Sequence, residues 1–577
     1  MKLLEALNIL ESVKRRKGES FSCFLATGMN ALHLGTFLRA ELGLIYPNHK
    51  IDIQCGLYGD FLGNLDRLAA ADADCGIVLI EWADLDPRLG LRNVAAWSPA
   101  TCVDILLHAK TRAQKVQQMI EETCQHMPVV LGLPTLPFPP ISFVPGGQAS
   151  SFEIDLKLLV QSVASHVSQW TQVRVLSSQQ LDSVSPFRGR LDVKSELLSG
   201  FPYKLAHASA LASLFALLIR TPTPKKGLIT DLDDTLWRGI LGEAGIHGIS
   251  WDLDHHSQMH AFYQCLLSAL SNEGVLLAVA SKNEPSLVRE AFKRKDLILS
   301  PDSVFPVEVG WGPKSESVTR ILKTWNVSAD SVVLVDDTAL ELAEVKAAHP
   351  ELECIQFPSK DSVAIYELVL RLRDLFGKSV LSQEDAIRSN SIRHLHTSAG
   401  TDGGVRAARN SFLEQLDAEI SFNFNKSPLD PRALELVNKT NQFNLNGKRY
   451  TEASWHKYFL DPASFLMTVS YKDKFGPLGK IAVIAGRLNR KLNVDTWVMS
   501  CRAFSRRIEH RCLEELFAKF GIDEIELDYL QTDRNGPLAQ FLMEILGAAP
   551  SPKFTISRRA LAAPSEASRR FQETTNG

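Results

Sequence analysis

The sequence predicts an α/β protein built from several domains. Short apolar runs alternate with helix-like stretches between about residues 21 and 177, and the alternation returns between residues 227 and 376. This pattern is typical of parallel sheets covered by helices. A third region, from about residue 409 to 547, mixes helices with partly polar strands, which favours a mixed or antiparallel sheet. At 577 residues, the chain is several times longer than a usual domain.

The composition is that of an ordinary globular protein. Hydrophobic residues make up 45% and charged residues 22%, and the net charge is -3, so we expect neither nucleic acid nor a membrane as a partner. The nine cysteines include no CxxC pair and are typical of reduced thiols in a cytoplasmic protein. We expect no secretion signal, and the longest apolar helix, at residues 208–219, is shorter than the ~20 residues that cross a bilayer.

Residues 1–220 form the first predicted domain. Its expected strands are short apolar runs at residues 23–26, 51–55, 76–81, 129–133 and 173–176. A stretch rich in Pro and Gly, at residues 134–147, predicts a loop on the same scaffold. The domain ends with a predicted helix at residues 201–220, which the Thr-Pro-Thr-Pro sequence beginning at Thr221 closes.

The second predicted domain covers residues 221–376, and a helix and linker follow at residues 377–408. Three very apolar runs, at residues 227–230, 275–280 and 332–335, lack polar alternation, which indicates strands buried on both faces. A capping-box pattern that begins at Ser382 predicts the helix, and the linker is rich in Gly and Ser.

Residues 409–550 form the third predicted domain, and residues 551–577 a mostly flexible tail. Strands are expected in the third domain at residues 465–471, 479–485 and 495–499. Within the tail, one strand is expected at residues 554–557.

The strongest chemical signal is the sequence Asp231-Leu-Asp233-Asp-Thr235, directly after the first buried strand of the second domain. In an extended segment, residues i and i+2 face the same way, so Asp231 and Asp233 are expected to point together from the carboxyl end of the strand, where open α/β sheets bind ligands. Two carboxylates this close repel unless a cation lies between them. A hard divalent ion, most simply Mg²⁺, resolves this conflict and attracts a phosphate.

Three further motifs follow in order, each at a strand end or a helix start. They are Ser281-Lys282-Asn283, Lys314 and Asp336-Asp337. Together with Asp231 they provide what phosphoryl transfer requires: Asp231 attacks phosphorus, Asp233 protonates the leaving oxygen and later activates water, Ser281 and Lys314 hold phosphoryl oxygens, and the acidic pair completes the metal shell.

Each motif alone has a simpler explanation. An isolated Asp-x-Asp is more often a turn or a helix cap, Ser281 a cap, Lys314 a surface lysine and Asp336-Asp337 a turn. Four motifs in one order, each at the expected strand end or helix start, favour a phosphate site.

This order of motifs resembles the haloacid dehalogenase superfamily of aspartate-nucleophile phosphotransferases. The sequence from Asp231 to Gly245, then Ser281-Lys-Asn283 and the acidic pair followed by Glu341, resembles its FkbH-like branch. The resemblance implies a Rossmann-like parallel sheet, Mg²⁺ held by Asp231, Asp233, Asp336 and Asp337, and phosphate binding by Thr235, Ser281, Lys282, Asn283 and Lys314. Positions that depart from the branch, without touching these groups, are Arg238, Ala244, Thr338, Ala339 and Leu342.

The third domain is similar to the C-terminal half of the same branch, which has an N-acetyltransferase-type (GNAT-like) fold. The similarity lies in the run from Asn438 through Asn441 to Asn444 and in Ser500-Cys-Arg502 with Arg506 and Glu509. Members of this fold hold a pyrophosphate on a loop of the form Arg-x-x-Gly-x-Gly/Ala. Here larger residues, Ser505 and Arg507, fill both small positions, which argues against the usual acetyl-CoA binding.

The resemblance implies a Mg²⁺-dependent enzyme that dephosphorylates 1,3-bisphosphoglycerate and passes the glyceryl group to the phosphopantetheine thiol of an acyl carrier protein, in polyketide or related natural-product biosynthesis. Cys501 is the candidate acyl nucleophile, because Arg502, Arg506 and Arg507 favour its thiolate. A buried structural cysteine is an equally good interpretation. Asn441 and these arginines are candidates for acyl transfer or for contact with the acidic carrier, although on sequence alone a solvated helix face explains Arg506 and Arg507 better.

The first domain resembles an SGNH-type (flavodoxin-like) α/β domain. Such a hydrolase needs a serine after its first strand, where this chain has Thr27-Gly-Met-Asn30, and a late Asp-x-x-His pair, which we do not find. We therefore expect a non-catalytic scaffold or docking domain. Two other functions stay open for the whole chain: a phosphohydrolase of a small free phosphorylated metabolite, and an inactive scaffold that binds a carrier domain.

Overall fold

The structure is a computed structural model. It describes residues 1–14, 18–93, 98–141, 144–145, 147–220, 222–378, 419–426, 430–441, 443–473, 476–500, 508–532 and 535–562. The chain divides into two compact units, one formed by Met1–Pro222 with Tyr450–Asp461 and the other by Thr223–Arg449 with Pro462–Gly577. No helix among the described residues is long and apolar enough to span a bilayer.

The first unit contains a parallel sheet with helices on both faces. In chain order its elements are α1 Leu3–Lys14, β1 Ser20–Ala26, α2 Leu32–Ile45, β2 Lys50–Cys55, α3 Phe61–Ala69, β3 Cys75–Leu79, α4 Trp82–Leu85, α5 Pro99–Cys124, β4 Val129–Gly132, α6 Ser151–Val167, β5 Val173–Val175, α7 Ser178–Val184, α8 Val193–Ser199 and α9 Leu205–Ile219. The strand order is β2-β1-β3-β4-β5. Successive residues of β1, such as Phe24 and Leu25, belong to separate apolar cores on the two faces.

The second unit begins with another parallel sheet. Its elements are β6 Gly227–Thr230, α10 Leu241–Ala244, α11 Gln258–Asn272, β7 Leu276–Ser281, α12 Pro285–Ala291, β8 Val304–Val309, α13 Lys314–Trp325, β9 Val332–Asp336, α14 Ala339–Ala348, β10 Glu353–Gln356 and α15 Ser362–Phe376. The strand order is β10-β9-β6-β7-β8. Because β9, β6 and β7 are parallel neighbours, their carboxyl ends meet at one edge of the sheet, and this places the site.

The remaining strands form a mixed sheet. The elements in this part of the chain are β11 Glu419–Asn423, α16 Pro431–Lys439, α17 Glu452–Leu460, β12 Ser464–Asp473, β13 Gly476–Leu488, β14 Leu492–Met499, α18 Ile508–Phe520, β15 Glu524–Asp528, α19 Gly536–Leu546, β16 Lys553–Ser557 and α20 Arg558–Ala562. The strands follow chain order across the sheet, with β14 and β15 parallel and the other neighbours antiparallel. The predicted α/β fold class, with two parallel sheets and one mixed sheet, is confirmed.

A short segment, Phe443–Leu445, lies between β14 and the chain after β15, beyond the point where these two strands pair with each other. The two strands pair over Leu492–Val494. Farther along, the amide of Leu445 donates to the Trp497 carbonyl at 2.9 Å, and the amide of Met499 donates to the Phe443 carbonyl at 3.0 Å. The Leu445 carbonyl accepts from the amide of Leu530, after β15, at 3.1 Å. The predicted Asn-rich motif therefore contributes backbone to this sheet.

The predicted helix that begins at Ser382 and the linker at residues 397–404 lie outside the described residues. In the predicted tail, β16 pairs with β15 and α20 follows it, so residues 553–562 are part of the folded domain. The predicted domain boundaries stay predictions. The structure adds that α17, from the third predicted domain, groups with the first unit.

Candidate functional site

Three adjacent strand ends bring the predicted acidic and hydroxyl groups together. Asp231 follows β6 directly, Ser281 is the last residue of β7, and Asp336 is the last residue of β9. The amide of Asp231 donates to the Val335 carbonyl at 2.9 Å, which continues the sheet one residue beyond β6. The side chain of Ser281 lies close enough to the Asp231 carboxylate to lower its pKa. The sheet topology therefore assembles residues that lie more than 100 positions apart in the sequence.

Three carboxylates converge at this edge. One oxygen each from Asp231, Asp336 and Glu341 lies within 4.8 Å of the others. Asp336 is fully buried, Asp231 is 7% exposed and Glu341 is half-buried in the first turn of α14. Such a concentration of negative charge is stable only when cations neutralise it.

The ammonium of Lys314 lies among these three carboxylates. Its Nζ contacts Asp336 and Glu341 and lies 3.3 Å from Oδ1 of Asp231. Lys314 is only 2% exposed at the start of α13. Burial opposes its charged form, but the surrounding carboxylates, Asp231 first, raise its pKa above the ordinary value. The buried lysine is therefore charged.

The acidic groups respond to burial and to each other. Burial raises the pKa of Asp231, and the Lys314 charge offsets part of this rise. Burial, followed by the nearby Asp231 charge, raises the pKa of Asp336 to about 6. Burial acts on Glu341 in the same direction, but its bonds to Lys314 and then Lys282 lower its pKa. Negative charge therefore remains in excess in this cluster, even with the ammonium of Lys314 present.

Asp233 lies close by with a different set of partners. Its Oδ1 accepts from the indole N–H of Trp237 at 3.0 Å and from the amide of Leu241 at 3.1 Å, and its Oδ2 accepts from Nδ2 of Asn283 at 2.9 Å. Burial raises the pKa of Asp233, which favours the protonated form. Three donors hold this carboxyl group in one orientation, outside the group of Asp231, Asp336 and Glu341.

The other predicted site residues surround this group. Lys282 is 40% exposed, and its Nζ lies 3.0 Å from Oε1 of Glu341. Thr235 is fully buried, and its hydroxyl has no hydrogen-bond partner among the described residues. Asp337 is half-buried and accepts from the hydroxyl of Thr338 at 3.2 Å. The phosphate-binding and metal-binding roles of these residues stay predictions.

Glu341 is the functional candidate that the sequence reasoning did not assign to the site. Its signal was present, because an acidic residue four positions after Asp337 lies one turn into a helix that starts at the strand end. Trp237, which lies within the Asp231–Gly245 motif, is a second such residue, and its contact with Asp233 depends on the fold of the loop.

The donor set fits a hard divalent cation. Carboxylate oxygens are the ligands that Mg²⁺ prefers, and Asp231, Asp336 and Glu341 bring three of them together around the Lys314 ammonium. Oδ1 of Asp231 is buried and accepts no hydrogen bond from the described residues, and the Lys314 ammonium lies 3.3 Å from it.

The predicted acyl-transfer residues are described only in part. Cys501, Arg502, Arg506 and Arg507 lie outside the described residues. Asn441 is described, and its side-chain oxygen accepts from the guanidinium of Arg449 at 2.6 Å. Its role in acyl transfer or carrier contact stays a prediction.

The first unit holds a buried polar network instead of an accessible triad. Nδ1 of His207 lies 2.8 Å from the hydroxyl of Ser185, and its Nε2 lies 3.0 Å from the hydroxyl of Thr135, which donates to Glu81 at 2.6 Å. All four side chains are less than 7% exposed. Burial, and then the Arg190 charge, lowers the pKa of His207 to about 3, so its ring is neutral. This arrangement supports a structural role for the network.

Comparisons with known proteins bear on the fold. No protein-family model matches the chain, and no curated protein matches it. The chain is similar to the N-terminal part of the protein BF1531 from Bacteroides fragilis, whose crystal structure contains a phosphatase domain and is complexed with Mg, at 19% identity and a TM-score of 0.51 over 65% of this chain and 99% of that chain. An uncharacterized protein from Corynebacterium glutamicum is 18% identical over 27% of this chain and 98% of its own, with a TM-score of 0.19. The first likeness supports the α/β fold, whereas the haloacid dehalogenase, FkbH-like, SGNH-type and N-acetyltransferase-type resemblances stay predictions.

Proposed function

We propose that this protein is a Mg²⁺-dependent phosphatase of the haloacid dehalogenase type with Asp231 as its nucleophile. The observation that carries the proposal is the meeting of Asp231, Ser281, Lys314 and Asp336 at one sheet edge. Their order along the chain and their strand ends match the superfamily that the motifs resemble. The similar structure from Bacteroides fragilis, which contains a phosphatase domain complexed with Mg, supports the same activity and cofactor.

In this proposal each carboxyl group has a separate task. Asp231 bonds to phosphorus through a carboxylate oxygen and releases the leaving group, which gives an aspartyl phosphate. Asp233, held by three donors, protonates the leaving oxygen and then takes a proton from the water that hydrolyses the intermediate. Lys314 and Ser281 orient the Asp231 carboxylate and the phosphoryl oxygens.

The predicted ligands Asp231, Asp233, Asp336 and Asp337 would hold the magnesium ion, because the Lys314 ammonium already lies among Asp231, Asp336 and Glu341. When bound there, Mg²⁺ supplies positive charge that offsets the negative charge of the phosphoryl oxygens. The three carboxylates outnumber the buried ammonium of Lys314, so the site carries the net negative charge that attracts such an ion.

The test is phosphate release from acetyl phosphate and p-nitrophenyl phosphate by Asp231→Asn. We expect release to be abolished with the fold intact, whereas the matched variant of an exposed aspartate, Asp254→Asn, keeps the wild-type rate. Asp233→Asn should still form the phosphoenzyme and hydrolyse it slowly. Unchanged release by Asp231→Asn removes this residue from the mechanism.

We further propose that the substrate is 1,3-bisphosphoglycerate and that the glyceryl group passes to the phosphopantetheine thiol of an acyl carrier protein. In this scheme the Cys501 thiolate attacks the acyl carbon and displaces its phosphate, which gives a thioester. Asp231 takes the phosphoryl group of the remaining phosphate ester. The carrier thiol then takes the acyl group from Cys501. The resemblance of the motifs around Asn441 and Cys501 supports the proposal. We place the reaction in the cytoplasm, since the eight described cysteines are all free thiols.

Mass spectrometry of the enzyme and a holo carrier protein after incubation with bisphosphoglycerate tests this step. We expect a glyceryl thioester on the carrier and on the wild-type enzyme, and no adduct on Cys501→Ala. A normal adduct on that variant rules out Cys501. Phosphate release without any thioester favours a phosphohydrolase of a small free metabolite, and the absence of Mg²⁺-dependent hydrolysis favours an inactive carrier-binding scaffold.

A further inference from the structure

The helix that carries Lys314 begins without a cap of its own. The residue before α13 is Pro313, whose side chain makes no capping hydrogen bond. The first amide groups of a helix have no partner within the helix, and they carry its positive dipole end. Something outside α13 must therefore satisfy the amides at the start of this helix.

Glu344, from the middle of α14, does this. The amide of Lys314 donates to Oε2 of Glu344 at 3.2 Å, and the amide of Ser315 donates to its Oε1 at 3.3 Å. The hydroxyl of Ser315 donates to the same Oε1 at 2.5 Å. One carboxylate from a neighbouring helix thus holds the first two residues of α13.

The same two helices are joined at two further points. Glu341 lies three positions before Glu344, on the same face of α14, and contacts the ammonium of Lys314. Farther along, Nε2 of His349 lies 3.0 Å from the hydroxyl of Thr319 in α13. Glu344 is therefore the contact that fixes the backbone of Lys314, while Glu341 contacts the end of its side chain.

We propose that Glu344 is a positioning residue that sets the place of the Lys314 ammonium relative to Asp231. The inference rests on the proposed phosphoryl transfer at Asp231. Among the described residues, Glu344 bonds only to the amides and the hydroxyl at the start of α13, so it acts through Lys314 and not on the substrate. Its carboxylate also occupies the anion-attracting end of α13, so the phosphoryl group has to be held by side chains and not by these amides.

A double-mutant cycle on phosphate release tests the proposal. Loss of a group that orients a site residue typically lowers activity about 10–100-fold, and we expect a fall of that size in kcat for Glu344→Ala. Glu344→Gln should recover much of this loss, because an amide oxygen still accepts from the helix start. In the Lys314→Ala variant, adding Glu344→Ala should lower kcat almost no further, because Glu344 acts through Lys314.

Glu316 provides the matched control. It lies in the first turn of α13, is exposed, and its nearest cation is Arg320 at 3.9 Å, so Glu316→Ala should keep the wild-type kcat. The positioning role is wrong if the kcat losses of Glu344→Ala and Lys314→Ala multiply fully in the double variant. It is also wrong if Glu344→Ala leaves kcat unchanged. A wild-type protein without Asp231-dependent phosphate release overturns the proposed function first, and the inference with it.

Discussion

At the scale of the residue, the two aspartates after β6 differ in their partners. Oδ1 of Asp231 lies 3.3 Å from the Lys314 ammonium, while Asp233 accepts from Trp237, Leu241 and Asn283. A nucleophile gains from a cation beside it, whereas an acid-base group needs a fixed orientation. These different environments are consistent with the two roles proposed for the pair.

His207 should make the first unit sensitive to acid. Its folded pKa, about 3, lies below the ordinary value of 6.5, so the unfolded chain binds a proton that the folded chain excludes as pH falls below 6.5. The free energy of unfolding of the wild type, minus that of His207→Gln, should therefore decrease by about 1.4 kcal/mol per pH unit from pH 6.5 toward pH 4.

The comparison with His207→Gln cancels other titrating groups of the first unit, such as Asp84, whose pKa burial raises to about 7. Denaturant unfolding followed by hydrogen exchange at the β3 amides measures the difference. A difference that stays constant between pH 7 and pH 4 would show that His207 takes up a proton in the folded state.

The site could be predicted from the sequence only where a strand end or a helix start decides it. Asp231, Ser281 and Asp336 lie at the ends of apolar strands, and parallel strands must bring those ends together. Glu344 and Trp237 carry no such signal. Their contacts depend on how α14 packs beside α13 and on the loop after Asp231, which periodicity does not reveal.

At the scale of the element, the central strands of the second parallel sheet were predictable and its edge strands were not. The strands β6, β7 and β9 are continuous apolar runs, and the structure has them within a residue or so of their predicted bounds. The edge strands β8 and β10 are more polar, and β8 contains Pro306, which cannot donate to a ladder. In the first sheet the edge strands β2 and β5 keep enough apolar residues to be predicted.

Asn444 should stabilise the segment that lies between β14 and the chain after β15. It is 3% exposed; its oxygen accepts from the amides of Asn446 at 3.2 Å and Gly447 at 2.7 Å, and its Nδ2 donates to the Thr440 carbonyl at 2.9 Å. Asn444→Ala leaves these buried groups unpaired, and we expect the sheet to lose about 3 kcal/mol of stability.

Hydrogen exchange at the amides of Met499 and Leu530 measures this loss, because both amides bond to the segment that Asn444 organises. The control is Asn489→Ala in an exposed turn, with an expected change within about 0.5 kcal/mol. Equal exchange rates in the two variants would contradict a structural role for Asn444.

At the scale of the whole molecule, the compact units do not follow the order of the predicted domains along the chain. The first unit includes Tyr450–Asp461, although this segment lies within the third predicted domain. In that unit, Nη2 of Arg174 lies 2.6 Å from Oε1 of Glu452, 278 positions later. Sequence alternation predicts sheets, but it gives no sign that a distant segment completes one of the units.

Glu452→Gln should destabilise the first unit by about 1 kcal/mol, because the Arg174–Glu452 pair is partly withdrawn from water, with side chains 18% and 32% exposed. Lys457→Gln is the matched control in the same segment, since its pair with Asp72 is 3.5 Å long and almost fully exposed. Thermal unfolding of the full chain measures both. A larger decrease in Tm for Lys457→Gln than for Glu452→Gln would contradict a stabilising role of the Arg174–Glu452 pair.

In the proposed mechanism, Asp231 becomes covalently phosphorylated. The most direct measurement is mass spectrometry of the protein quenched in acid during turnover of acetyl phosphate with Mg²⁺, followed by mapping of the modified peptide. We predict one phosphoryl group on Asp231 in the wild type, more of it in Asp233→Asn, and none in Asp231→Asn. Phosphate release with no phosphoryl group on Asp231, or with the group on another residue, would contradict the mechanism.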